Sequence, residues 1–527
     1  MKTTISRLPW RASSSYGALL MLAFAIGTPN AAAQAAAADA SRIGRSSSAK
    51  APEFQELYDY DSAALPLADA TFPYEVRLHR AHVLMLCEQR IISDAEALQI
   101  LRGLSRVDAQ AKTDSALRSY LPYEHALIQA SGAVAGKMHI GRSRNDLANT
   151  VNRMFYRDQL NRTLEALIAL RTTVNDKAAA QVDTVMVVYT HRKQAQPITL
   201  GHYLMAISES LGKSIERYEQ LYARMNLSPL GAAASAGSGW PLDRQRTAQL
   251  LGFDGLVVNT IEATAGWDHI AEFAADNAIY MSMLSRLASE IQLWSSDEYR
   301  SAELDGAFAG TSSIMPQKKN PDSLERTRQI ASATLGPFVS IVSSLNGIEY
   351  QHSVARVALE PRSIDAMLAA THAMTGVVRT LQPQPAQMLQ YAAQGYSTMT
   401  DLADTLVRDS GLSFREAHEI IAVVVERAMA QGKKANQIEL AMVEQAAREK
   451  LGRPLALSAW AVRDALDPVQ NVARRNGIGG PAPSAVRRMI SDARQQTAEQ
   501  AARQLLRARR VSDAQTLLSD AIAQKLR

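Results

Sequence analysis

The chain has 527 residues, of which 47% are hydrophobic and 21% charged, a composition typical of soluble globular proteins. Its length exceeds one ordinary hydrophobic core and predicts two or three domains. The net charge of +5 comes mostly from residues 1–34, because without that segment 54 basic residues face 52 acidic ones. A nearly neutral body argues against a nucleic-acid partner, and the single cysteine, Cys87, excludes an intrachain disulfide and a thiolate metal site.

The N-terminal residues 1–36 are predicted to form a secretory signal peptide. Basic residues precede an apolar stretch at 16–27, which is too short for a comfortable transmembrane span, and an alanine-rich run follows. The alternatives are a disordered leader or a wrongly chosen start codon. Residues 37–52, rich in Ala and Ser, predict a flexible linker. We therefore expect a periplasmic or secreted protein without membrane association after processing, with a cytoplasmic location as the alternative.

The remaining chain is predominantly helical in pattern, with possible short strands at 185–189 and 256–258. The strongest helix signal is a seam of residues spaced alternately three and four apart, which predicts one long helix of 25 residues packed in coiled-coil fashion around a polar Asn277. The seam consists of Ile270, Phe273, Asn277, Tyr280, Leu284, Leu287, Ile291 and Trp294. The last residues, about 496–527, are rich in Ala, Gln and Arg and predict a solvated helix.

A second helix is predicted from residues that mark its start and its end. Ser413 and Glu416 form a capping-box pattern at its start, and Gly432 ends it. One apolar face is predicted, formed by Phe414, Ala417, Ile421, Val424 and Ala428.

The run from Gly310 to Glu325 contains no apolar periodicity, and two prolines interrupt any regular element. It reads Gly310-Thr-Ser-Ser-Ile-Met-Pro-Gln-Lys-Lys-Asn-Pro-Asp-Ser-Leu-Glu325. Hydroxyl groups that can move protons, and lysines that can neutralise negative charge, suit a mobile loop that closes over an anionic substrate. The alternative is a lysine-bearing surface loop.

Three ordered segments together resemble the fumarase/aspartase superfamily, and specifically its argininosuccinate lyase branch. They are the loop above, Gly141-Arg-Ser-Arg-Asn-Asp146, and Tyr189-Thr-His-Arg-Lys-Gln-Ala-Gln-Pro197. The resemblance extends over residues 75–495 and includes Phe414-Arg-Glu-Ala-His418 and Gly479-Gly-Pro-Ala-Pro-Ser484. Thr311 departs from the superfamily pattern, which has glycine immediately before the serine pair.

The resemblance implies an all-α fold with three domains, in which four subunits pool their central helices into one bundle. The expected domains are an N-terminal helical domain at 53–144, a central long-helix bundle at 145–385 and a C-terminal helical domain at 386–527. In the superfamily the active-site segments meet only between subunits, so we expect a homotetramer with composite active sites. No metal and no cofactor are implied.

The superfamily reaction eliminates an amine or hydroxyl from a succinyl group and gives fumarate. By resemblance, Ser312 is the base, Lys318 balances the charge of the intermediate, and Thr190 with His191 deliver the proton on the opposite face. Glu325 matches the carboxylate that orients the histidine. Residues matching the family positions that contact the substrate, a small dicarboxylate, are Ser143, Arg144, Asn145, Asn320, His125 and Arg244. Arg142 and Asp146 could instead form a structural ion pair.

Departures from the family pattern concern the half of the site that reads the leaving amine. In the family's Tyr-x-Lys-x-x-Gln motif, this chain keeps Tyr350 but has His352 and Ala355. A Trp-Gly-Gly-Arg-Phe segment is missing, Leu147 replaces glutamine, and Asp69 is only the nearest counterpart of an aspartate that would meet a guanidinium group.

We therefore expect a carbon–nitrogen lyase acting on an N-substituted aspartate, such as an aminopolycarboxylate or N-succinyl amino acid. The alternatives are argininosuccinate lyase itself and a non-catalytic homologue that binds dicarboxylates.

Overall fold

The computed structural model describes residues 51–54, 56–57 and 66–527. The predicted signal peptide, and the predicted linker as far as residue 50, lie outside the described residues. Within the described ranges, no helix combines the length and apolar character that crossing a membrane requires.

From residue 66 to residue 527 the chain forms eighteen α-helices, and they confirm the predicted all-α class. They are α1 (Pro66–Glu88), α2 (Asp94–Gln110), α3 (Tyr120–Ser131), α4 (Arg144–Ala180), α5 (Leu200–Met225), α6 (Arg244–Leu250), α7 (Thr260–Ala265), α8 (Asp268–Trp294), α9 (Asp322–Ala333), α10 (Leu335–Asn346), α11 (Pro361–Thr380), α12 (Pro385–Gln394), α13 (Met399–Ser410), α14 (Phe414–Ala430), α15 (Leu440–Leu451), α16 (Ala459–Ala465), α17 (Pro468–Arg474) and α18 (Pro483–Leu526).

The strands between 66 and 527 are short and form only two-stranded pairs. They are β1 (Val185–Thr190), β2 (Lys193–Thr199), β3 (Leu227–Ser228), β4 (Gly255–Leu256), β5 (Ala302–Glu303), β6 (Gly310–Thr311), β7 (Lys319–Asn320) and β8 (Gln382–Pro383). Antiparallel pairs join β1 to β2, β5 to β8 and β6 to β7, and a parallel pair joins β3 to β4. The strand predicted at 185–189 is confirmed, whereas that at 256–258 is ordered as a strand only at Leu256.

Helices α4, α5, α8 and α11 pack together around the largest apolar core of the described chain. Every residue of the predicted seam on α8 is buried, and Asn277 accepts a hydrogen bond from the hydroxyl of Tyr218 at 2.8 Å. The long-helix prediction is therefore confirmed. Each fully buried aliphatic side chain in such a seam contributes about 1.5–3 kcal/mol. The predicted domain boundaries at 144 and 385 stay predictions.

Helices α13 to α16 enclose a second apolar core. The predicted capping box is present, since the Ser413 hydroxyl accepts the backbone N–H of Glu416 and the Glu416 carboxylate accepts that of Ser413. Four of the five predicted face residues are buried, but Phe414 is 51% exposed. Phe414 is the first residue of the helix, whereas the buried members of the set lie further along it.

The last helix, α18, has 44 residues and packs along α4 and α5 rather than against the second core. Its start contributes Val486 and Ile490 to the bundle core, and its end packs beside α1 and α2. Between these points the contacts are polar: Arg171 donates to Gln500 at 2.8 Å and Asn175 to Thr497 at 3.2 Å. The helix predicted over 496–527 is confirmed, but one side of it is buried, and it shares its core with the bundle.

Candidate active site

The first predicted substrate-binding segment lies where α4 begins. Ser143 is the N-cap of this helix, and its Oγ accepts the backbone N–H of Asn145 at 3.3 Å. The Asn145 side chain is half-buried and that of Arg144 is exposed. Because a helix N-terminus carries positive partial charge, Ser143, Arg144 and Asn145 sit where a carboxylate is favoured.

Asp146 fastens this segment to the rest of the subunit. Its fully buried carboxylate accepts backbone N–H groups from Ser143 at 2.8 Å, Gly231 at 2.9 Å and Ala233 at 3.0 Å. Burial raises the pKa of this carboxyl, against the effect of these hydrogen bonds. Arg142, the alternative partner, instead donates to Nδ1 of His79 at 3.0 Å. The role of Asp146 is therefore to hold the backbone.

Arg244, the first residue of α6, is half-buried, and its guanidinium group donates hydrogen bonds to backbone carbonyls. Its Nε donates to Leu230 and its Nη2 to Val257, both at 2.9 Å. The guanidinium group therefore fastens two loops next to the start of α4. Its predicted substrate contact stays a prediction.

Thr190 and His191 are exposed at the tip of the β1–β2 hairpin. Thr190 pairs with Lys193, so that His191 and Arg192 are the two central residues of the turn. Both have positive φ, at 53° and 58°, as a type I′ turn requires. Non-glycine residues in this region cost roughly 1–3 kcal/mol each, and such strain is concentrated at functional sites.

Ser312 follows β6 in the loop that β6 and β7 close. Its Oγ accepts two backbone N–H groups, from Ile314 at 3.4 Å and Met315 at 3.0 Å. Donors to a hydroxyl oxygen stabilise its deprotonated form more than its neutral form. At the loop base, a Cβ on Gly310 would lie 2.0 Å from the carboxylate of Asp322, so a larger residue there would displace that side chain.

The two neighbouring lysines of this loop differ in their partners. Lys319 forms an ion pair with Glu303 at 2.5 Å. The Lys318 ammonium is exposed and has no hydrogen bond or ion pair with any described residue, while its backbone N–H donates to Met315 and tightens the turn. Asn320 is half-buried opposite Gly310 in the strand pair. Lys318 is therefore the lysine that is free to meet an anion.

Glu325 is exposed in the first turn of α9, and its Oε1 accepts a hydrogen bond from Gln292 of α8 at 3.3 Å. Among the described residues, no hydrogen bond or ion pair joins Glu325 to His191. One subunit therefore does not bring together the histidine and the carboxylate that the resemblance pairs.

His125 and Tyr350 are both exposed. His125 lies on α3, with its Nε2 at 2.9 Å from the amide of Gln129. The Tyr350 hydroxyl donates to the Glu262 carboxylate, and this hydrogen bond raises the pKa of Tyr350 to about 12. Tyr350 is thus neutral and already partnered in this subunit.

The segment after Tyr350 holds a histidine–arginine pair. His352 Nδ1 accepts from Arg356 Nη2 at 2.7 Å, and burial and then Arg356 lower the pKa of His352. Arg356 also donates to the backbone carbonyl of Thr264 at 3.0 Å and lies 4.4 Å above the ring of Trp267. The residues that depart from the family pattern therefore form a neutral imidazole backed by a fixed guanidinium.

Glu75 on α1 is a carboxylate near the start of α4 that the sequence analysis did not single out, while the predicted role of Asp69 stays a prediction. Asp69 is paired with Arg118 at 2.6 Å, whereas Glu75 lies 3.4 Å from His79, the residue that contacts Arg142. Its four-residue spacing from His79 on α1 was the signal that could have found it. Two surface clefts, of about 460 and 400 Å³, are lined by residues 245–258 and by α4 with α18, and neither contains a predicted site residue. No group of three potential metal ligands is present in the described ranges.

Comparison with known families supplies two matches. Residues 92–336 match a lyase family, and residues 396–473 match the family described as argininosuccinate lyase C-terminal. Argininosuccinate lyase from Methanococcoides burtonii is 37% identical over 437 residues, covering 81% of this chain and 88% of the relative. The enzyme from Methanothermobacter thermautotrophicus is 33% identical and covers 86% of this chain and 97% of the relative.

Among solved structures, EDDS lyase in complex with formate is 62% identical, with a TM-score of 0.86 over 92% of this chain and 98% of that one. A variant of EDDS lyase with bound fumarate matches equally well. The 3-carboxy-cis,cis-muconate lactonizing enzyme from Pseudomonas putida, at 19% identity and a TM-score of 0.66, shares the fold.

These matches cover most of the chain and agree with the order of the three motifs. The chain belongs to the argininosuccinate lyase branch of the fumarase/aspartase superfamily, and it is a carbon–nitrogen lyase.

Proposed function

We propose that the protein eliminates an amine from an N-substituted aspartate and releases fumarate. The observation that carries this proposal is the setting of Ser312, whose oxygen receives two backbone N–H groups in a loop that also bears the unpartnered Lys318. The 62% identity to EDDS lyase, one structure of which holds fumarate, supports it.

The chemistry accounts for these residues. A proton on the carbon next to a carboxylate is weakly acidic, so its removal needs a strong base and stabilisation of a dianionic aci-carboxylate. Ser312, as serinate, takes the proton, while Lys318 and Asn320 hold the carboxylate on which charge develops. The electrons of the broken C–H bond form the C=C bond of fumarate as the C–N bond breaks. The leaving nitrogen gains its proton on the opposite face, with Thr190 and His191 in position to assist.

The active site is proposed to form between copies of the chain, in a homotetramer. In one subunit, His191 and Glu325 are exposed and make no contact with each other. Helix α10 has no charged residue, yet its only buried residue is Ile341, while Leu335 and Val339 are 56% and 52% exposed. Ile279 on α8 is also exposed, at 49%. An apolar surface of this kind is covered when two subunits pack their bundles together.

The leaving amine is proposed to differ from arginine. The family motif that reads the arginine moiety has lost its lysine and glutamine, and His352 and Ala355 stand there. Loss of specific hydrogen-bond partners changes preference among polar substrates by orders of magnitude. EDDS, ethylenediaminedisuccinate, consists of two aspartate units whose nitrogens are linked by an ethylene bridge, and is therefore the first substrate to test.

The test is a panel of N-substituted aspartates, including EDDS, N-succinyl amino acids and argininosuccinate, with fumarate followed by its ultraviolet absorbance. We expect turnover of an aminopolycarboxylate that exceeds turnover of argininosuccinate. Ser312→Ala should lower kcat by about 10³-fold, within the range for a general base. Ser313→Ala, which removes the adjacent exposed hydroxyl, is the matched control and should remain active.

Absence of fumarate from every compound, or equal activity of Ser312→Ala and Ser313→Ala, would contradict the proposal. Fumarate from argininosuccinate alone would instead support an argininosuccinate lyase. The predicted export concerns residues outside the described part of the chain and stays a prediction, and the proposed chemistry does not depend on it.

A further inference from the structure

The short stretch before α4, residues 139–142, is held by side chains from two other helices. His82 of α1 places its Nε2 at 2.9 Å from the backbone oxygen of Ile140. The Tyr120 hydroxyl of α3 contacts His139 Nδ1. His79 of α1 contacts Arg142. Polar side chains therefore position three of the four residues that lead into Ser143.

The donor and the acceptor in the contact between Arg142 and His79 follow from the chemistry of the two groups. A guanidinium group only donates, so the Nδ1 that receives Arg142 Nη1 at 3.0 Å carries no proton. The ring proton is then on Nε2, which lies 3.4 Å from the carboxylate of Glu75. Arg142 therefore donates to His79, while the carboxylate of Glu75 lies beside Nε2 as a charge contact, because that nitrogen has no hydrogen-bond partner within the described residues.

The surroundings keep His79 in this neutral form. The ring is fully buried and stacked on Tyr123, with centroids 5.2 Å apart. Burial, and then the charge of Arg142, lower the pKa of His79 to about 4, against the opposing effect of Glu75. His139 also faces it from the 139–142 stretch, and Tyr120 and Tyr123 from α3.

Arg142 depends on this contact. It is 5% exposed, and within the described residues its Nε and Nη2 have no hydrogen-bond partner. His79 is therefore the acceptor that orients a buried guanidinium located one residue before the N-cap of α4.

We propose that His79 is a positioning residue: through Arg142 it holds the backbone that presents Ser143, Arg144 and Asn145 to the substrate carboxylates. This inference rests on the proposed function, because the binding role of those three residues belongs to it. The negative charge of Glu75, 3.4 Å from Nε2, favours the tautomer of His79 that carries its proton on that nitrogen. Misplacing a binding group by about 1 Å can cost up to 10²-fold in rate, so the contact between His79 and Arg142 matters although it lies below the surface that meets the substrate.

The test uses the full-length oligomer with His79→Leu and His79→Gln. Leucine keeps an apolar volume but removes the acceptor, whereas the amide oxygen of glutamine can still accept from Arg142. Arg80→Met is the matched control, because Arg80 is the next residue on α1 and its ion pair with Asp108, at 2.5 Å, does not involve residues 139–142. The measurements are KM and kcat for fumarate release, the Kd of fumarate by calorimetry, and amide hydrogen exchange of residues 139–146.

For His79→Leu we expect KM and the fumarate Kd to rise about tenfold with a smaller change in kcat, because uniform binding is lost, and exchange of residues 139–146 to accelerate. His79→Gln should restore much of both, and Arg80→Met should resemble the wild type. If His79→Leu does not fold, Glu75→Gln provides the same comparison with a smaller expected effect, since it removes only the charge that orients Nε2–H.

Unchanged KM and Kd in His79→Leu, or exchange no faster than in Arg80→Met, would overturn the positioning role. So would a glutamine variant no better than leucine. Failure of the proposed function would look different, because the wild type itself would then release no fumarate, while hydrogen exchange would still decide whether His79 holds the segment.

Discussion

The segment at the start of α4 and the two exposed motifs, the 190–192 hairpin tip and the 312–318 loop, are built in opposite ways. Asp146 and Arg142 make their contacts inside the subunit, with backbone N–H groups and with His79. The side chains of His191 and Lys318 are exposed and have no hydrogen bond or ion pair with the described residues. The first region is placed when one chain folds, whereas the others present reactive groups that one chain leaves unpaired. This difference supports the proposal that the active site forms between copies of the chain.

The largest effect should come from mixing two inactive variants. Ser312→Ala and His191→Asn should each abolish most activity. If the proposed tetramer forms composite sites, the co-refolded mixture should recover up to about one quarter of the wild-type rate, because some sites then receive both intact groups from different subunits. Fumarate release by the mixed, refolded protein measures this. Refolding each variant alone is the control, and a mixture no more active than its components would show that the two regions belong to one subunit.

The second largest effect should be a loss of folding stability at acidic pH. His79, His82 and His269 are buried, and burial lowers their pKa values to about 4, 3 and 3. Unfolded histidines titrate near pH 6.5, so the unfolded chain binds more protons below that pH. Stability is therefore full above about pH 6.5 and falls as the pH drops, by up to about 1.4 kcal/mol per pH unit for each histidine.

Asp276 acts in the opposite sense, because burial raises its pKa to about 6 and the folded form then binds the extra proton. We expect a net loss of about 3 kcal/mol between about pH 6.5 and pH 5, measured by urea unfolding. His82→Leu should make the slope shallower. A slope independent of His82 would contradict this account.

The smallest of these effects should be that of Asp146→Asn. The Asp146 carboxylate accepts three backbone N–H groups, and the amide of asparagine has only one oxygen with which to accept them. We therefore expect the free energy of unfolding to fall by about 2 kcal/mol, which is typical of losing hydrogen bonds to a charged group. KM should rise with little change in kcat if only the start of α4 moves. Asp183→Asn, which weakens an exposed ion pair with Arg487 at the far end of α4, is the control and should change neither. An unchanged KM would separate Asp146 from substrate binding.

Local sequence patterns predicted much of the fold. The seam on α8 repeats with the period that buries one side of a helix, and the capping box at Ser413 satisfies backbone N–H groups of its own first turn. Phe414 belongs to the same periodic set but remains exposed, because burial depends on a neighbouring helix that the local pattern does not encode. Helix α18 buries Gln500 and Thr497 against Arg171 and Asn175, a polar contact that apolar periodicity cannot reveal.

The candidate site likewise has features that local sequence predicts and features that depend on tertiary packing. The sequence by itself determined which residue types are present and in what order, because short motifs such as Ser312 to Asn320 hold their chemistry within one loop. Tertiary structure alone decided that His79 meets Arg142, that Lys319 is occupied and Lys318 free, and that no hydrogen bond or ion pair joins His191 to Glu325 among the described residues. Spacing along a chain fixes contacts only within a helical turn or a hairpin, whereas these contacts join segments that are brought together by packing of the whole bundle.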